Sequence, residues 1–488
     1  MIKFSCVKSL FFNYFTNLEN TFRKIIIIAL FIIYLSFYKT IKLNRDYFNK
    51  LYSKIQSDIN IKFNNNINKI IRIAIYTINL KDGGVQRFTS KFINIFDKIK
   101  LFHIYLFNQN EKEENEYKIP DNIKRVFIKN ASDINCLIKQ IKKNKIDIFI
   151  YQFPIQKEIH ALNNLNIFKL DDMKVIFNIH SSFFYWFYST VFSFLNIYKE
   201  YSYSKYVVSL IPLENDYLFK KWGIKSVLFD NFLTYEYNSI KQSNLADKKI
   251  LLIGRARSKL KRFSLGIQAI EYIRYEIPEV KLFIVSKIDN TDFLKNYIDN
   301  LNLEFNIYFA NYSLDPSIYF KTASLNYLTS ISECYPLVLS ETKIHGIPTI
   351  IMGLNFLSMS KNGTVIIYDD FPETLAKISI KILNNIIYKK KLAKQARDSM
   401  SILSNEKIKN DWIKLLFLVY NNYTNYTKYF NNNKNNEKEL YDVLKIQINL
   451  LKNRMTNMEN INASFIENLT NINISEYLNK NKNILKYK

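Results

Sequence analysis

Glycine is scarce in this chain: there are eight in 488 residues, none before Gly83 or after Gly363. A chain this poor in the residue that takes positive φ most freely keeps each glycine where the backbone needs it. The series from DGG (Gly83, Gly84) through Gly223, Gly254, Gly266, Gly346, Gly353 and Gly363 therefore outlines the functional unit. Cysteine is scarcer. Cys6, Cys136 and Cys334 form no spaced pair, which excludes a zinc ribbon or a disulfide framework and suits a reducing compartment. No arginine-rich run accompanies the formal net charge of +26. Lys, Asn, Ile, Tyr and Phe are all heavily used together, so the charge reads as a residue bias giving a basic surface that favours anionic lipid, not as a nucleic-acid signal. What is present is apolar mass: 48% hydrophobic and 16% aromatic residues, enough for two or three domains with their own cores.

From Ile71 onward, buried-strand runs alternate with helical stretches. IRIAIYTI (71–78), LFHIYLF (101–107), RVFIKN (125–130), DIFIYQF (147–153), KVIFNIH (174–180) and YVVSLIP (206–212) predict one Rossmann-like domain ending near VLFDNFL (227–233). A second series starts at KKILLIGR (248–255) and continues through KLFIVSK, NIYFAN, SLNYLTS, PTIIMG and TVIIYDD (364–370). The expected organisation is an N-terminal segment over 1–68, Rossmann-like domains over 69–235 and 236–385, helices over 386–430 that cross back to the first domain, and an Asn-rich linker with a heptad helix over 431–488. The fold class is α/β, with two doubly wound sheets.

The most informative stretch is SECYPLVLSETKIHGIPTIIMG, residues 332–353. Proline suits a helix start, where its missing N–H costs nothing, and glycine suits the left-handed residue past a helix end, so a helix is expected from Pro336 to His345. The backbone N–H groups of Leu337 and Val338 then lack intrahelical acceptors, and the helix dipole adds positive character there, making an anion site. Glu333 sits in the loop before this helix and Glu341 within it. Two carboxylates beside an anion site make sense if each accepts hydrogen bonds from sugar or ribose hydroxyls.

A glutamate, seven residues, a second glutamate and then Gly-x-Pro resembles the nucleotide-sugar signature of retaining GT-B glycosyltransferases, the family 4-like group that includes cell-surface polysaccharide and glycolipid enzymes. DGGVQRF (82–88), directly after the first strand, resembles that family's glycine loop, in which backbone amides approach the donor phosphate or the acceptor. IGRARSKLKRF (253–263) resembles the Gly-Arg…Lys stretch whose cations hold the diphosphate: Arg255 and Lys261, with Lys259 as the alternate lysine. The resemblance makes His180, at a strand end, the candidate that faces the donor sugar, and weakly matches Asn231 to the family's interdomain asparagine. It implies Glu341 on the ribose, Glu333 on the sugar, and same-face attack without a covalent intermediate. No Asp-x-Asp motif is present, so no metal and no cofactor are expected; Arg255, Lys261 and the helix start at Pro336 would offset the diphosphate charge. Cys334, Thr342 and FLSMSKN (356–362) depart from the family pattern.

The expected partners are a nucleotide sugar, a glycan or lipid-linked acceptor and a membrane, with no nucleic acid. Ile25–Tyr38 is apolar with basic flanks and, though shorter than a full span, reads as a membrane anchor or interfacial helix with the globular part on the cytoplasmic face. At the other end, Tyr441, Leu444, Ile448, Leu451, Met455, Met458, Asn462, Phe465, Leu469 and Ile472 recur at spacings of three and four. That seam is either a coiled coil making a homodimer through 441–472 or an amphipathic helix lying on the body or membrane. An inactive GT-B scaffold and a sugar-nucleotide epimerase on the same fold are the alternative functions.

Overall fold

The structure is a computed structural model, and it describes residues 70–81, 83–128, 134–152, 174–182, 204–215, 218, 223–256, 259–286, 292–311, 313, 315–430, 446–447 and 449–450. The apolar segment 25–38 lies outside these residues, as does the heptad seam beyond 450. Among the described residues no helix is long and apolar enough to cross a membrane.

The first sheet contains β1 (Ile71–Thr77), β2 (Phe102–Asn108), β3 (Lys124–Phe127), β4 (Ile148–Tyr151), β5 (Lys174–Asn178), β6 (Tyr206–Ser209) and β7 (Ser226–Leu228) in the order β3-β2-β1-β4-β5-β6-β7. Every neighbouring pair is parallel. The second sheet contains β8 (Lys249–Ile253), β9 (Lys281–Ser286), β10 (Ile307–Asn311), β11 (Leu325–Leu328), β12 (Thr349–Met352) and β13 (Thr364–Ile367), ordered β10-β9-β8-β11-β12-β13 and again parallel throughout. Continuous apolar runs such as Ile148–Tyr151 make strands of this kind because helices cover both sheet faces. The two doubly wound domains expected from the sequence are thus present, and most strands fall within a residue or two of their expected ends.

The helices used below are α1 (Gly84–Phe96), α2 (Ile134–Lys143), α3 (Phe263–Glu276), α4 (Asp292–Asn300), α5 (Leu337–Ile344), α6 (Pro372–Asn384), α7 (Ile386–Met400) and α8 (Asn405–Tyr420). The sequence suggested that the helices over 386–430 return to the first domain. In the structure α6 packs on α3 and α7 on α5, both within the second domain, and the return is made by α8. Its apolar face explains why: Trp412, Leu415, Leu416 and Val419 are buried in one cluster with Phe88, Phe92 and Phe232 of the first domain. The Trp412 and Phe92 rings meet edge to face at 5.3 Å. Another cluster runs across the domain junction, joining Ile179 and Leu233 to Cys334, Tyr335 and Leu339. At the start of the C-terminal segment Gln447 and Leu450 are buried, and Gln447 Nε2 donates to the Gly353 carbonyl and to Asn355 Oδ1.

In each sheet the chain winds outward from its first strand in one direction and later returns to that strand's other side, so the strand order reverses between β1 and β4 and between β8 and β11. Loops diverge there at the carboxyl ends of the strands, and open α/β sheets bind ligands in that crevice.

Candidate functional site

α5 is set between two sequence signals. Pro336 (φ −70°, ψ 108°) is the N-cap and not the first helical residue, so the helix starts one position later than expected, with Leu337 and Val338 as its first two residues. At the other end Gly346 has φ 67°, its N–H donates to Lys343 O at 2.9 Å, and Ile347 N–H donates to Thr342 O at 2.9 Å. This pair of bonds is the Schellman motif, which a left-handed glycine permits at low cost. Arg397 of α7 donates to Ile344 O and to Ile240 O, tying the helix end to the interdomain linker. The Lys343 ammonium is buried and donates to the Lys361 and Asn362 carbonyls; burial pushes its pKa from 10.5 down to about 7.

The second sheet's reversal point carries charge. Gly254 follows β8 with the Lys261 stem beside it, 3.7 Å from where a Cβ would stand. Lys261 Nζ forms an ion pair with Glu333 Oε1, which also accepts from Ser330 Oγ at 2.6 Å. Arg262 has φ 46° and donates through Nε to Thr329 O at 2.8 Å, while its Nη1 pairs with Asp370 at 2.5 Å. Arg255 is exposed in the same loop, and of Lys259 only the backbone is described. The loops after β8 and β11 thus bring Lys261 and Glu333 together, and the N-terminus of α5 follows Glu333 by three residues.

Glu341 is buried in α5 and reaches across the junction. Its Oε1 pairs with Arg87 Nη1 of α1 and accepts from Thr234 Oγ1 at 2.7 Å. Arg87 is held in turn by Tyr117, whose hydroxyl accepts from Nε at 3.2 Å and whose ring lies 5.3 Å from the guanidinium carbon. Next to it Gly83, with φ 106°, precedes α1, and a Cβ on Gly84 would stand 3.9 Å from Leu337 of the second domain. The glycine loop of one domain and the α5 start of the other therefore face each other directly.

His180 follows β5. Its Nε2 lies 3.0 Å from Gln152 Oε1 and 2.9 Å from Asn178 Nδ2, and the Phe88 ring meets it edge to face at 5.0 Å. Burial lowers its pKa from 6.5 to about 3, so the ring is neutral at physiological pH. Cys334 packs against the same strand end, with Sγ 3.7 Å from Ile179 O; burial, then the carboxylates of Glu214 and Glu333, push its thiol pKa far up. A thiol held protonated in this way is a packing group, not a nucleophile. Asn231 is buried in the linker region.

Arg87, Thr234, Gln152 and Ser330 were not singled out by the sequence. Arg87 stood inside the quoted DGGVQRF loop, but nothing local marks its partner, which is 254 residues away. Chemically the junction offers a cation beside a carboxylate (Lys261, Glu333), an exposed Arg255, free helix N–H groups and a neutral imidazole. That set suits an anionic phosphate joined to a hydroxyl-rich group. Among the described residues no three His, Cys, Asp or Glu side chains are grouped to hold a metal ion.

No curated protein matches the sequence. Solved structures do match its fold. Sucrose-phosphate synthase from Thermosynechococcus elongatus superposes with a TM-score of 0.59 at 13% identity, covering 72% of this chain and 99% of that one. TarM from S. aureus, solved as a point mutant in complex with fondaparinux, alpha-GlcNAc-glycerol and UDP, gives 0.56 at 13% identity over 72% and 100% of the two chains. HepE from Anabaena, solved with UDP and glucose, gives 0.57 at 14% identity over 71% and 99%. Residues 236–399, which hold Arg255, Lys261, Glu333 and Glu341, match the family model "Glycosyl transferases group 1". The chain therefore shares the GT-B fold of these structures, and its second domain is similar to the glycosyl transferases group 1 family over residues 236–399.

Proposed function

We propose that this protein transfers a sugar, with retention of configuration, from a nucleoside-diphosphate sugar to an acceptor hydroxyl. The observation that carries the reading is the convergence, at the second sheet's reversal point, of Lys261, Glu333 and the α5 N-terminus opposite Gly83 and Gly84. Charge builds on the departing diphosphate in such a transfer. Lys261, Arg255 and the Leu337 and Val338 N–H groups are the preorganised partners for that charge, and they make a bound metal unnecessary in this scheme. Glu341 holds the ribose hydroxyls and Glu333 the sugar, while His180 faces the sugar near the reacting carbon. Arg87 and Thr234 already satisfy Glu341 Oε1, so the ribose either displaces them or uses Oε2. HepE and TarM were solved with UDP, which makes UDP-sugars the first donors to try. The apolar N-terminal segment and the basic composition support work on a glycan or lipid-linked acceptor at the cytoplasmic face of a membrane, as in cell-surface polysaccharide or glycolipid synthesis.

The test is ligand-dependent thermal stability and sugar transfer by the full chain across UDP-, GDP- and ADP-sugars. A donor at one hundred times its dissociation constant adds about 2.7 kcal/mol to stability. A shift selective for one nucleotide, with release of that nucleoside diphosphate, supports the transferase. A flat panel with a folded protein points to an inactive scaffold; sugar isomerisation without an acceptor points to an epimerase.

A further inference from the structure

A chain of buried hydrogen bonds at the carboxyl ends of β1, β4 and β5 fixes how His180 presents itself. Thr89 Oγ1 donates to Val85 O at 2.8 Å, the back-bond of a helical threonine. Its one hydrogen is used there, so toward other groups Thr89 only accepts. The Tyr76 carbonyl also only accepts. Gln152 Nε2 lies 2.8 Å from Thr89 Oγ1 and 3.1 Å from Tyr76 O, and both partners demand a donor. Gln152 is fully buried, so its amide cannot turn over without burying two acceptor–acceptor contacts. Its Oε1 must therefore face His180 Nε2, 3.0 Å away, and an amide oxygen only accepts. Nε2 carries the hydrogen.

Asn178 does not oppose this. Its Nδ2 lies 2.9 Å from the same ring nitrogen, but its Oδ1 is buried without a hydrogen-bond partner, so nothing pins that amide. Rotated by half a turn, it too offers oxygen to Nε2–H. In a neutral imidazole with Nε2 protonated, Nδ1 is a bare acceptor. Among the described residues no protein group bonds to it.

We propose that Gln152 is a positioning residue that locks His180 in the Nε2–H tautomer, so that Nδ1 accepts a hydrogen bond from a ligand hydroxyl. The tautomer stands on the protein's own hydrogen bonds. The ligand half rests on the nucleotide-sugar reading above.

Long-range proton–nitrogen correlation spectra of the full chain labelled at its four histidines read the tautomer directly, with His180→Asn assigning the signal. The expected spectrum at neutral pH shows His180 with Nε2 protonated and Nδ1 bare; a protonated Nδ1 overturns the proposal without need of any further variant. Gln152→Met removes the acceptor and should let Nδ1–H appear. An unchanged tautomer in that folded variant removes Gln152 from the role. In parallel, UDP-glucose and UDP-2-deoxyglucose, which differ only by the hydroxyl next to the reacting carbon, are competed against UDP. The wild-type chain should prefer UDP-glucose by about tenfold, the worth of roughly one hydrogen bond, and Gln152→Met should lose most of that preference. Equal binding overturns the ligand half. If UDP itself does not bind, the nucleotide-sugar reading and the ligand half fail together, and the spectrum still decides the tautomer.

Discussion

Two sheets with the same core strand order, 3-2-1-4-5-6 in each domain's own count, meet at their carboxyl ends and line the junction with different chemistry. In the first domain the groups around His180 are neutral: a threonine, a glutamine and the histidine joined by hydrogen bonds, with the histidine kept uncharged by burial. The one cation in the first turn of α1, Arg87, is paired with Glu341. In the second domain the reversal point is charged: Lys261 with Glu333 and Arg262 with Asp370, all partly open to solvent. Topology decides where a ligand sits; side chains decide which end of it each domain receives. The charged side suits a diphosphate, where partly exposed cations keep their charge at low desolvation cost, and the neutral side suits sugar hydroxyls, which need direction more than charge.

Each half of this comparison can be broken. The largest effect is expected at the contact that joins the halves. Arg87→Met takes the cation from the buried Glu341 carboxylate and leaves it the Thr234 hydroxyl, and should cost about 3 kcal/mol of stability in a denaturant titration. Adding Glu341→Gln should recover much of that loss; additive losses would show that the pair contributes nothing across the junction. Next comes the contrast in charge. Lys261→Ala should lower turnover by roughly a hundredfold or more, since it removes a cation aimed at developing charge. His180→Asn should cost only about tenfold, the scale of one neutral hydrogen bond. Equal losses would erase the distinction between the two sides.

The comparison can also be sharpened in pH, where the halves separate by window. His180 has a folded pKa of about 3 against 6.5, so between those values the unfolded chain binds the proton and the folded one does not. Stability therefore falls as pH drops through that window. Lys343, at about 7 against 10.5, places its window above neutrality: stability rises as pH climbs from 7 to 10.5, because the penalty for burying the ammonium disappears. His180→Asn should flatten the acid slope alone and Lys343→Met the alkaline slope alone. A slope that survives its own substitution would refute the assignment for that residue.

Much of this was legible beforehand. β1, β8 and α5 were readable because a doubly buried strand is a run of apolar residues, and a short helix needs a start and a stop that Pro336 and Gly346 supply. Glycine scarcity helped, since Gly83 and Gly346 do adopt positive φ. The departure of α7 (Ile386–Met400) from the expected return to the first domain was not legible. Both α7 and α8 are amphipathic, and periodicity says that a helix has a buried face without saying what covers it. The same limit hid Gln152. A lone polar residue at the end of a strand looks like any strand terminus until Thr89, Tyr76 and His180 surround it.

By itself the sequence determined the elements, their alternation and the positions of the loops that carry Gly83, Lys261 and Glu333, because these depend on residues close together along the chain. The partners were decided only by the tertiary structure. Arg87 meets Glu341 across 254 residues, and Gln152 meets Tyr76 across 76. A hydrogen bond or ion pair is a matter of a few ångströms and of direction, and those distances are set when two sheets and a returning helix pack against one another, which no local pattern encodes.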